Sequence, residues 1–242
     1  MKTRKEFEEF RQKEAEKMYA DKELLNDALK LHIKADAYHW VHQSTWLGEP
    51  ALQTAQDLLA LQEIIYNTRP DYIVEIGLCW GGSALFYGTM MDIIGGKGIV
   101  GVDIFMPNDL QDRIKDSPIK TNVHLIEGSS IENSTFDKVK EIVKTGSCMV
   151  VLDSVHSCDH VFAELNLYSK LVSPGNYLIC CDTYVEDFKH IDRNRPWGPG
   201  NSPRTALDKF LKNNIEFKKD LKIRNKLLIS CHPDGYIKRE NQ

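Results

Sequence analysis

The segment Val74-Glu-Ile-Gly-Leu-Cys-Trp-Gly-Gly-Ser83 decides the fold of this 242-residue chain. It follows a short apolar strand that begins at Tyr72, turns on glycines, and opens a helical pattern over residues 83–94. In an open sheet of parallel strands, ligands bind beyond the carboxyl ends of the strands. The segment therefore predicts a ligand-binding turn between a strand and the helix that follows it.

The rest of the chain continues this alternation of short apolar strands and helices. Such alternation predicts a parallel sheet with helices on both faces. The last two predicted strands have no helix between them, so we expect one of them to lie antiparallel at the edge. The fold class is therefore α/β, Rossmann-like, with a mostly parallel seven-stranded sheet. The predicted strands are 72–76, 98–103, 123–127, 148–153, 177–181, 215–217 and 226–230.

A charged helical segment precedes this pattern. Residues 1–45 form an N-terminal helical extension, and residues 46–242 form the main domain. The extension packs on its own domain, walls the substrate pocket or makes a contact between subunits. Because Trp40 and Trp46 need something to cover them, we expect it to contribute to a homo-oligomer.

Composition excludes several classes of protein. The chain has 31 basic and 35 acidic residues, a net charge of −4, which disfavours a nucleic-acid partner. Its six cysteines contain no Cys-x-x-Cys pair, which excludes a zinc ribbon. We find no signal peptide and no apolar run long enough to span a bilayer, so we expect a cytoplasmic protein without a membrane partner.

The glycine-rich turn limits the ligand. A dinucleotide fold places a glycine where this chain has Cys79, whose Cβ would obstruct the approach of a pyrophosphate. Gly77 and Gly82 have P-loop spacing, but Ser83 stands where that loop needs lysine. The turn therefore favours a nucleoside without a phosphate chain, and S-adenosylmethionine is the candidate.

Further residues fit this cofactor. Glu75 lies near the end of its strand, where it could meet an ammonium group. Asp103 ends the next strand, where a carboxylate can accept both ribose hydroxyls. Small polar residues after the third strand could border an adenine. The candidate cofactor-binding residues are Glu75, Gly77, Ser83, Asp103, Ser129, Ser130 and Asp153.

An ordered set of motifs resembles one known family, the cephalosporin hydroxylase and rhamnosyl O-methyltransferase family. The resemblance runs from about Trp46 to Arg239. It implies a class I methyltransferase fold, S-adenosylmethionine as cofactor, and methylation of hydroxyl groups on sugars and natural products, often with Mg²⁺. The motifs are Trp46-Leu-Gly-Glu-Pro50, Gln62-Glu63, Arg69-Pro-Asp-Tyr-Ile-Val-Glu-Ile-Gly77, Gly81-Gly-Ser-Ala-Leu-Phe86, Gly128-Ser-Ser130, Leu152-Asp-Ser154 with His156, Tyr168-Ser-Lys-Leu-Val172 and Trp197-Gly-Pro-Gly200.

Carried over by position, the resemblance implies a metal site at Asp153, Cys181 and Asp182. The family pattern has a carboxylate where this chain has Cys181. Mg²⁺ prefers oxygen ligands, so a thiol there favours a softer ion such as Mn²⁺ or Zn²⁺. Alternatively, water or the nearby Glu186 and Asp187 complete the site.

Two histidines are candidates for proton transfer. His156 lies three residues after Asp153 at the mouth of the sheet, and with Asp153 it forms the predicted catalytic pair. His190 is a weaker candidate, and His160 is expected to have a structural role in the following helix.

The sequence leaves two hypotheses open for function. The first is an S-adenosylmethionine-dependent O-methyltransferase whose acceptor is a sugar, glycan or glycosylated small molecule. The second is a non-catalytic binding protein on the same fold, which the departure at Cys181 motivates. A nicotinamide-dependent oxidoreductase is disfavoured by Cys79.

Overall fold

The computed structural model describes residues 2–188 and 195–241. A mostly parallel seven-stranded sheet with helices on both faces forms its centre, as predicted. The strand order is β5-β4-β3-β6-β7-β9-β8, and β9 runs antiparallel to both of its neighbours. The elements are α1 (Arg4–Ala20), α2 (Lys22–Asp36), β1 (Thr45–Trp46), β2 (Glu49–Pro50), α3 (Ala55–Thr68), β3 (Tyr72–Ile76), α4 (Gly82–Ile94), β4 (Gly98–Asp103), α5 (Leu110–Asp116), β5 (Val123–Glu127), α6 (Asn133–Val143), β6 (Cys148–Leu152), α7 (Cys158–Tyr168), β7 (Tyr177–Cys180), α8 (Pro203–Leu211), β8 (Phe217–Lys219), α9 (Leu221–Lys226) and β9 (Tyr236–Arg239).

Each face of the sheet carries its own apolar core. Val150, Leu152 and Cys180 point to the face that α6, α7 and α8 cover. Met149 and Cys181 point to the opposite face, against α3 and α4. Successive side chains of an extended chain alternate between faces, which explains why the adjacent cysteines 180 and 181 lie in different cores.

The end of the chain differs from the prediction. Residues 226–230 are not a strand: α9 ends at Lys226, and the antiparallel strand is β9. Side chains at the start of α3 bind the backbone of this segment instead. The Ile229 N–H donates to Gln56 Oε1 (3.0 Å), and the Cys231 N–H donates to Asp57 Oδ2 (2.8 Å). Side chains of α3 thus satisfy the backbone donors of Ile229 and Cys231, which a partner strand would otherwise bind.

The N-terminal helices pack to different extents. Asp21 caps α2 by accepting a hydrogen bond from the Leu24 N–H (2.9 Å). The α2 helix buries Ala28, His32 and Asp36, whereas α1, which lies wholly within the described residues, has no buried side chain. Among the described residues we find no helix long and apolar enough to cross a membrane.

Candidate active site

A cavity of about 470 Å³ opens beyond the carboxyl ends of β3, β4 and β5. Its volume lies within the roughly 300–1,000 Å³ typical of ligand sites. Five of the predicted cofactor-binding residues line it: Gly77, Asp103, Ser129, Ser130 and Asp153. The structure therefore brings together residues from the carboxyl ends of four strands, β3, β4, β5 and β6.

Gly77 permits a close approach between two strand ends. Its φ is +93°, and a Cβ there would lie 2.1 Å from the carbonyl oxygen of Asp153. Only glycine fits such a contact, because the obstructing atom belongs to the backbone. Cys79, two residues on, also has a positive φ (+48°) and lines the cavity.

Asp103 holds the glycine-rich turn in place. Its Oδ2 accepts hydrogen bonds from the Leu78 N–H (2.8 Å) and the Cys79 N–H (3.1 Å), and its Oδ1 accepts one from the Phe105 N–H (3.2 Å). The carboxylate at the end of β4 thus orders the turn that forms one wall of the cavity.

Glu75 and Ser83 lie outside the residues that line the cavity. Glu75 is 1% exposed, and its Oε2 has no hydrogen-bond partner. Burial raises the pKa of Glu75 to about 8, and the nearby charges of Asp153 and Asp103 add to this effect. A hydrogen bond from Ser83 acts in the opposite direction by favouring the charged carboxylate.

A second polar cluster, at the side of the cavity, contains His160. Its Nε2 lies 3.1 Å from Ser130 Oγ and 3.1 Å from Glu164 Oε1. The hydroxyls of Ser130 (2.5 Å) and Ser154 (2.6 Å) both donate to that same glutamate oxygen. His160 therefore has the expected structural partners, but it also lines the cavity, which the sequence did not reveal.

Asp153, His156 and Asp182 converge at one point, where one possible ligand atom from each lies within 4.8 Å of the others. Asp153 directly follows β6, and Asp182 is the second residue after the neighbouring parallel strand β7. His156 Nε2 lies 3.3 Å from Asp182 Oδ2. Two carboxylates and an imidazole are a donor set that divalent cations accept.

Burial dominates the electrostatics of this cluster. It raises the pKa of Asp153 to about 6, an effect to which the charge of Asp182 adds, and it raises the pKa of Asp182 to about 6. It lowers the pKa of His156, so at neutral pH the imidazole is uncharged and able to accept a proton. Adjacent, partly buried carboxylates favour a cation between them.

The structure does not bring Cys181 to this cluster. Its side chain is 1% exposed and packs in the apolar core against α3 and α4. Burial also raises the pKa of its thiol well above the usual value, which disfavours the thiolate that binds metals. His156 stands in the cluster in its place.

Glu186 and Asp187, the suggested substitutes for Cys181, have other partners. Glu186 accepts hydrogen bonds from the Gly200 N–H (2.9 Å) and the hydroxyls of Ser202 and Thr205 (2.8 Å for Thr205). Asp187 pairs with Arg204 (2.7 Å). Glu186 therefore binds the loop before α8 together with the first turn of α8, and Asp187 binds α8 itself.

An aromatic residue lies beside the cluster. The ring of Trp197 contacts His156 edge-on, with centroids 5.3 Å apart. His190, the weaker candidate for proton transfer, lies outside the described residues.

Sequence reasoning missed two residues behind the cluster. Gln53 Nε2 donates to Asp153 Oδ2 (3.0 Å), and the Asp182 N–H donates to His232 Nδ1 (3.0 Å). No local motif marks either residue.

Comparison with known proteins agrees with this architecture. The chain is 27% identical over 214 residues to the rhamnosyl O-methyltransferase of Mycobacterium tuberculosis (strain ATCC 25618 / H37Rv), covering 85% of this chain and 84% of that protein. It is 30% identical over 186 residues to the rhamnosyl O-methyltransferase of Mycobacterium leprae (strain TN), covering 73% of this chain and 77% of that protein.

Two solved structures show the fold. One is described as "cmcI-D160 Mg-SAM" (TM-score 0.58, 18% identity, 83% of this chain and 78% of that chain). The other is the SAH-bound methyltransferase PaMTH1 of Podospora anserina (TM-score 0.54, 17% identity, 90% of this chain and 91% of that chain). The protein has the class I methyltransferase fold. The sequence profile described as Rhamnosyl O-methyltransferase/CmcI matches residues 38–240, and the chain belongs to this family.

Proposed function

We propose that the protein transfers the methyl group of S-adenosylmethionine to a hydroxyl of a sugar, glycan or glycosylated small molecule, with a divalent cation held by Asp153 and Asp182 beside His156. One observation carries this proposal: Asp153 lines the cavity and also belongs to the three-residue cluster. A single carboxylate therefore joins a candidate cofactor site to a candidate metal site.

The residues of the cavity fit S-adenosylmethionine. Asp103 would accept hydrogen bonds from the ribose hydroxyls, and Ser129 and Ser130 would border the adenine. Glu75 does not line the cavity, but its buried Oε2 has no hydrogen-bond partner, and an ammonium group that reached it would satisfy that oxygen. The cofactor of the family to which the chain belongs supports the same ligand.

The two carboxylates of the cluster fit Mg²⁺ or Mn²⁺. When bound, such a cation polarises an acceptor hydroxyl and stabilises the developing alkoxide. Asp153 and Asp182 would hold the ion, and His156 would take the proton from the acceptor hydroxyl. Methyl transfer from the sulfonium sulfur to the acceptor oxygen would be an in-line displacement, for which the protein mainly has to align the methyl carbon with that oxygen.

The alternative, a non-catalytic binding protein, loses its motivation. It depended on Cys181 as a lost metal ligand, but the cluster with His156 forms without that thiol.

A cytoplasmic location fits the six cysteines, all within the described residues and all free thiols.

Asp103→Ala should weaken the binding of S-adenosylmethionine by about 1–3 kcal/mol, because hydrogen bonds to a charged carboxylate are lost. Isothermal calorimetry on the full chain measures this loss. Asp103→Asn is the matched control, since it keeps one acceptor oxygen for the turn and should lose less. Unchanged affinity in Asp103→Ala would remove the ribose assignment, and tight NAD binding by the parent protein would remove the cofactor assignment.

We also propose that the N-terminal extension contributes to a homo-oligomer. Phe7 and Phe10 on α1 are 48% and 42% exposed, and they stack on each other. Light scattering should show a smaller particle for Phe7→Glu/Phe10→Glu and for a chain that begins near Thr45. An unchanged molar mass per particle, in subunits, would show that the extension is not an interface.

A further inference from the structure

Three hydrogen bonds join the two aspartates of the candidate metal site through Gln53 and His232. The Asp182 N–H donates to His232 Nδ1 (3.0 Å), His232 Nε2 lies 2.8 Å from Gln53 Oε1, and Gln53 Nε2 donates to Asp153 Oδ2 (3.0 Å). The chain of bonds therefore begins at one candidate metal ligand and ends at the other.

The direction of every bond follows from the first. A backbone N–H can only donate, so Nδ1 of His232 must accept and carries no proton. The neutral ring then has its proton on Nε2 and donates it to Gln53 Oε1. This fixes the amide orientation of Gln53, whose nitrogen faces the Asp153 carboxylate. Each polar atom in the series thus has one role.

Both linking side chains are buried, and further hydrogen bonds fix the backbone of His232. Gln53 is 2% exposed and His232 is fully buried. The His232 N–H donates to Ser230 Oγ (2.9 Å), which donates to Asp57 Oδ1 (2.6 Å). Asp57, fully buried near the start of α3, also accepts from the Tyr236 hydroxyl (2.7 Å). The network therefore ties α3 and residues 230–232 to the carboxyl ends of β6 and β7.

The Asp182 backbone needs this support. Its φ is +52°, in the left-handed region that non-glycine residues rarely adopt. The hydrogen bond to His232 holds this conformation, and the conformation sets the direction of the Asp182 carboxylate. Partners of this kind orient metal ligands and change metal affinity about 10–100-fold.

We propose that Gln53 and His232 are positioning residues that hold Asp153 and Asp182 at the separation and orientation a divalent cation needs. This inference rests on the proposed function. Neither side chain belongs to the cluster, so each acts through an aspartate.

The test is the binding of Mn²⁺ to the full chain without S-adenosylmethionine or acceptor, followed by electron paramagnetic resonance, beside kcat and KM for methyl transfer. Gln53→Met keeps the length of the side chain but removes both hydrogen bonds. We expect it to weaken Mn²⁺ binding about 10–100-fold and to lower kcat at low Mn²⁺. Excess Mn²⁺ should restore much of the kcat, and the affinity for S-adenosylmethionine should stay unchanged.

Gln56→Met is the matched control. Gln56 is an exposed glutamine on α3 whose amide oxygen accepts from the Ile229 N–H of the same C-terminal segment (3.0 Å), without contacting either aspartate. The Gln56→Met variant should bind Mn²⁺ with the same affinity as the parent protein. His232→Asn is the second variant: its amide oxygen still accepts from the Asp182 N–H, so it should weaken Mn²⁺ binding less than His232→Leu.

The outcomes separate the two proposals. If the parent binds Mn²⁺ and Gln53→Met and His232→Leu bind it equally well, the positioning role is wrong and the proposed function stands. If both variants only lower the melting temperature, with unchanged Mn²⁺ affinity, their role is structural and the inference is also wrong. If the parent binds no Mn²⁺, the metal assignment fails, and the inference fails with it.

Discussion

Asp153→Ala and Asp182→Ala should each lower kcat for methyl transfer by at least about 10³-fold while S-adenosylmethionine still binds. Each substitution removes one of two carboxylates that, in our account, hold the cation beside the acceptor hydroxyl. Stabilisation of a developing alkoxide by a cation contributes several kcal/mol, which corresponds to a factor of this size. Transfer of a labelled methyl group gives kcat, and calorimetry gives cofactor affinity.

Isosteric variants and pH provide the controls. Asp182→Asn preserves shape and should be nearly as inactive as alanine, which separates loss of charge from loss of packing. The pKa values of Asp153 and Asp182 are raised to about 6 in the metal-free protein, so affinity for Mn²⁺ should fall as the pH drops through about 6 and both carboxyls protonate. Near-normal turnover in either alanine variant would show that the cluster is not the metal site.

His156→Ala should lower kcat about 10²–10⁴-fold, the range for loss of a general base. Burial lowers the pKa of His156, so its imidazole is already neutral at pH 7 and ready to accept a proton. Raising the pH should partly rescue the variant, because hydroxide or buffer then removes the proton. Kinetics from pH 6 to pH 9 measure this rescue.

The affinity of His156→Ala for Mn²⁺ separates two roles of the imidazole. If His156 acts only as a base, the substitution leaves the affinity for Mn²⁺ unchanged. If His156 is also a metal ligand, the substitution lowers that affinity together with kcat. Full activity in His156→Ala would remove the residue from the mechanism.

Local signals explain what the sequence could predict. Gly77 lies where a strand passes into a glycine-rich turn, and Asp103 is the last residue of the next strand. Both residues line one cavity because the carboxyl ends of parallel strands lie at the same edge of the sheet. Asp153 and Asp182 follow neighbouring strands for the same reason. These positions depend only on where each strand ends.

Other features depend on alternation and on distant contacts. Cys181 precedes Asp182 by one residue, and that single step turns its side chain into the apolar core. Gln53 lies 100 residues before Asp153, and His232 lies 179 residues after Gln53, so no spacing reveals their contacts. The stretch 226–230 contains three consecutive apolar residues and has the composition of a strand, but side chains from α3 bind the backbone of Ile229 and Cys231 instead.

The most direct test of the central claim is methyl transfer by the full chain from methyl-labelled S-adenosylmethionine to a rhamnosyl glycoside, after exhaustive chelation and again after addition of Mg²⁺ or Mn²⁺. The account predicts O-methylated sugar and S-adenosylhomocysteine in equal amounts, formed only when the cation is present. Full transfer in the chelated protein would contradict the role of the metal. Absence of transfer to rhamnosyl and other sugar hydroxyls, with both cofactor and cation bound, would contradict the proposed function.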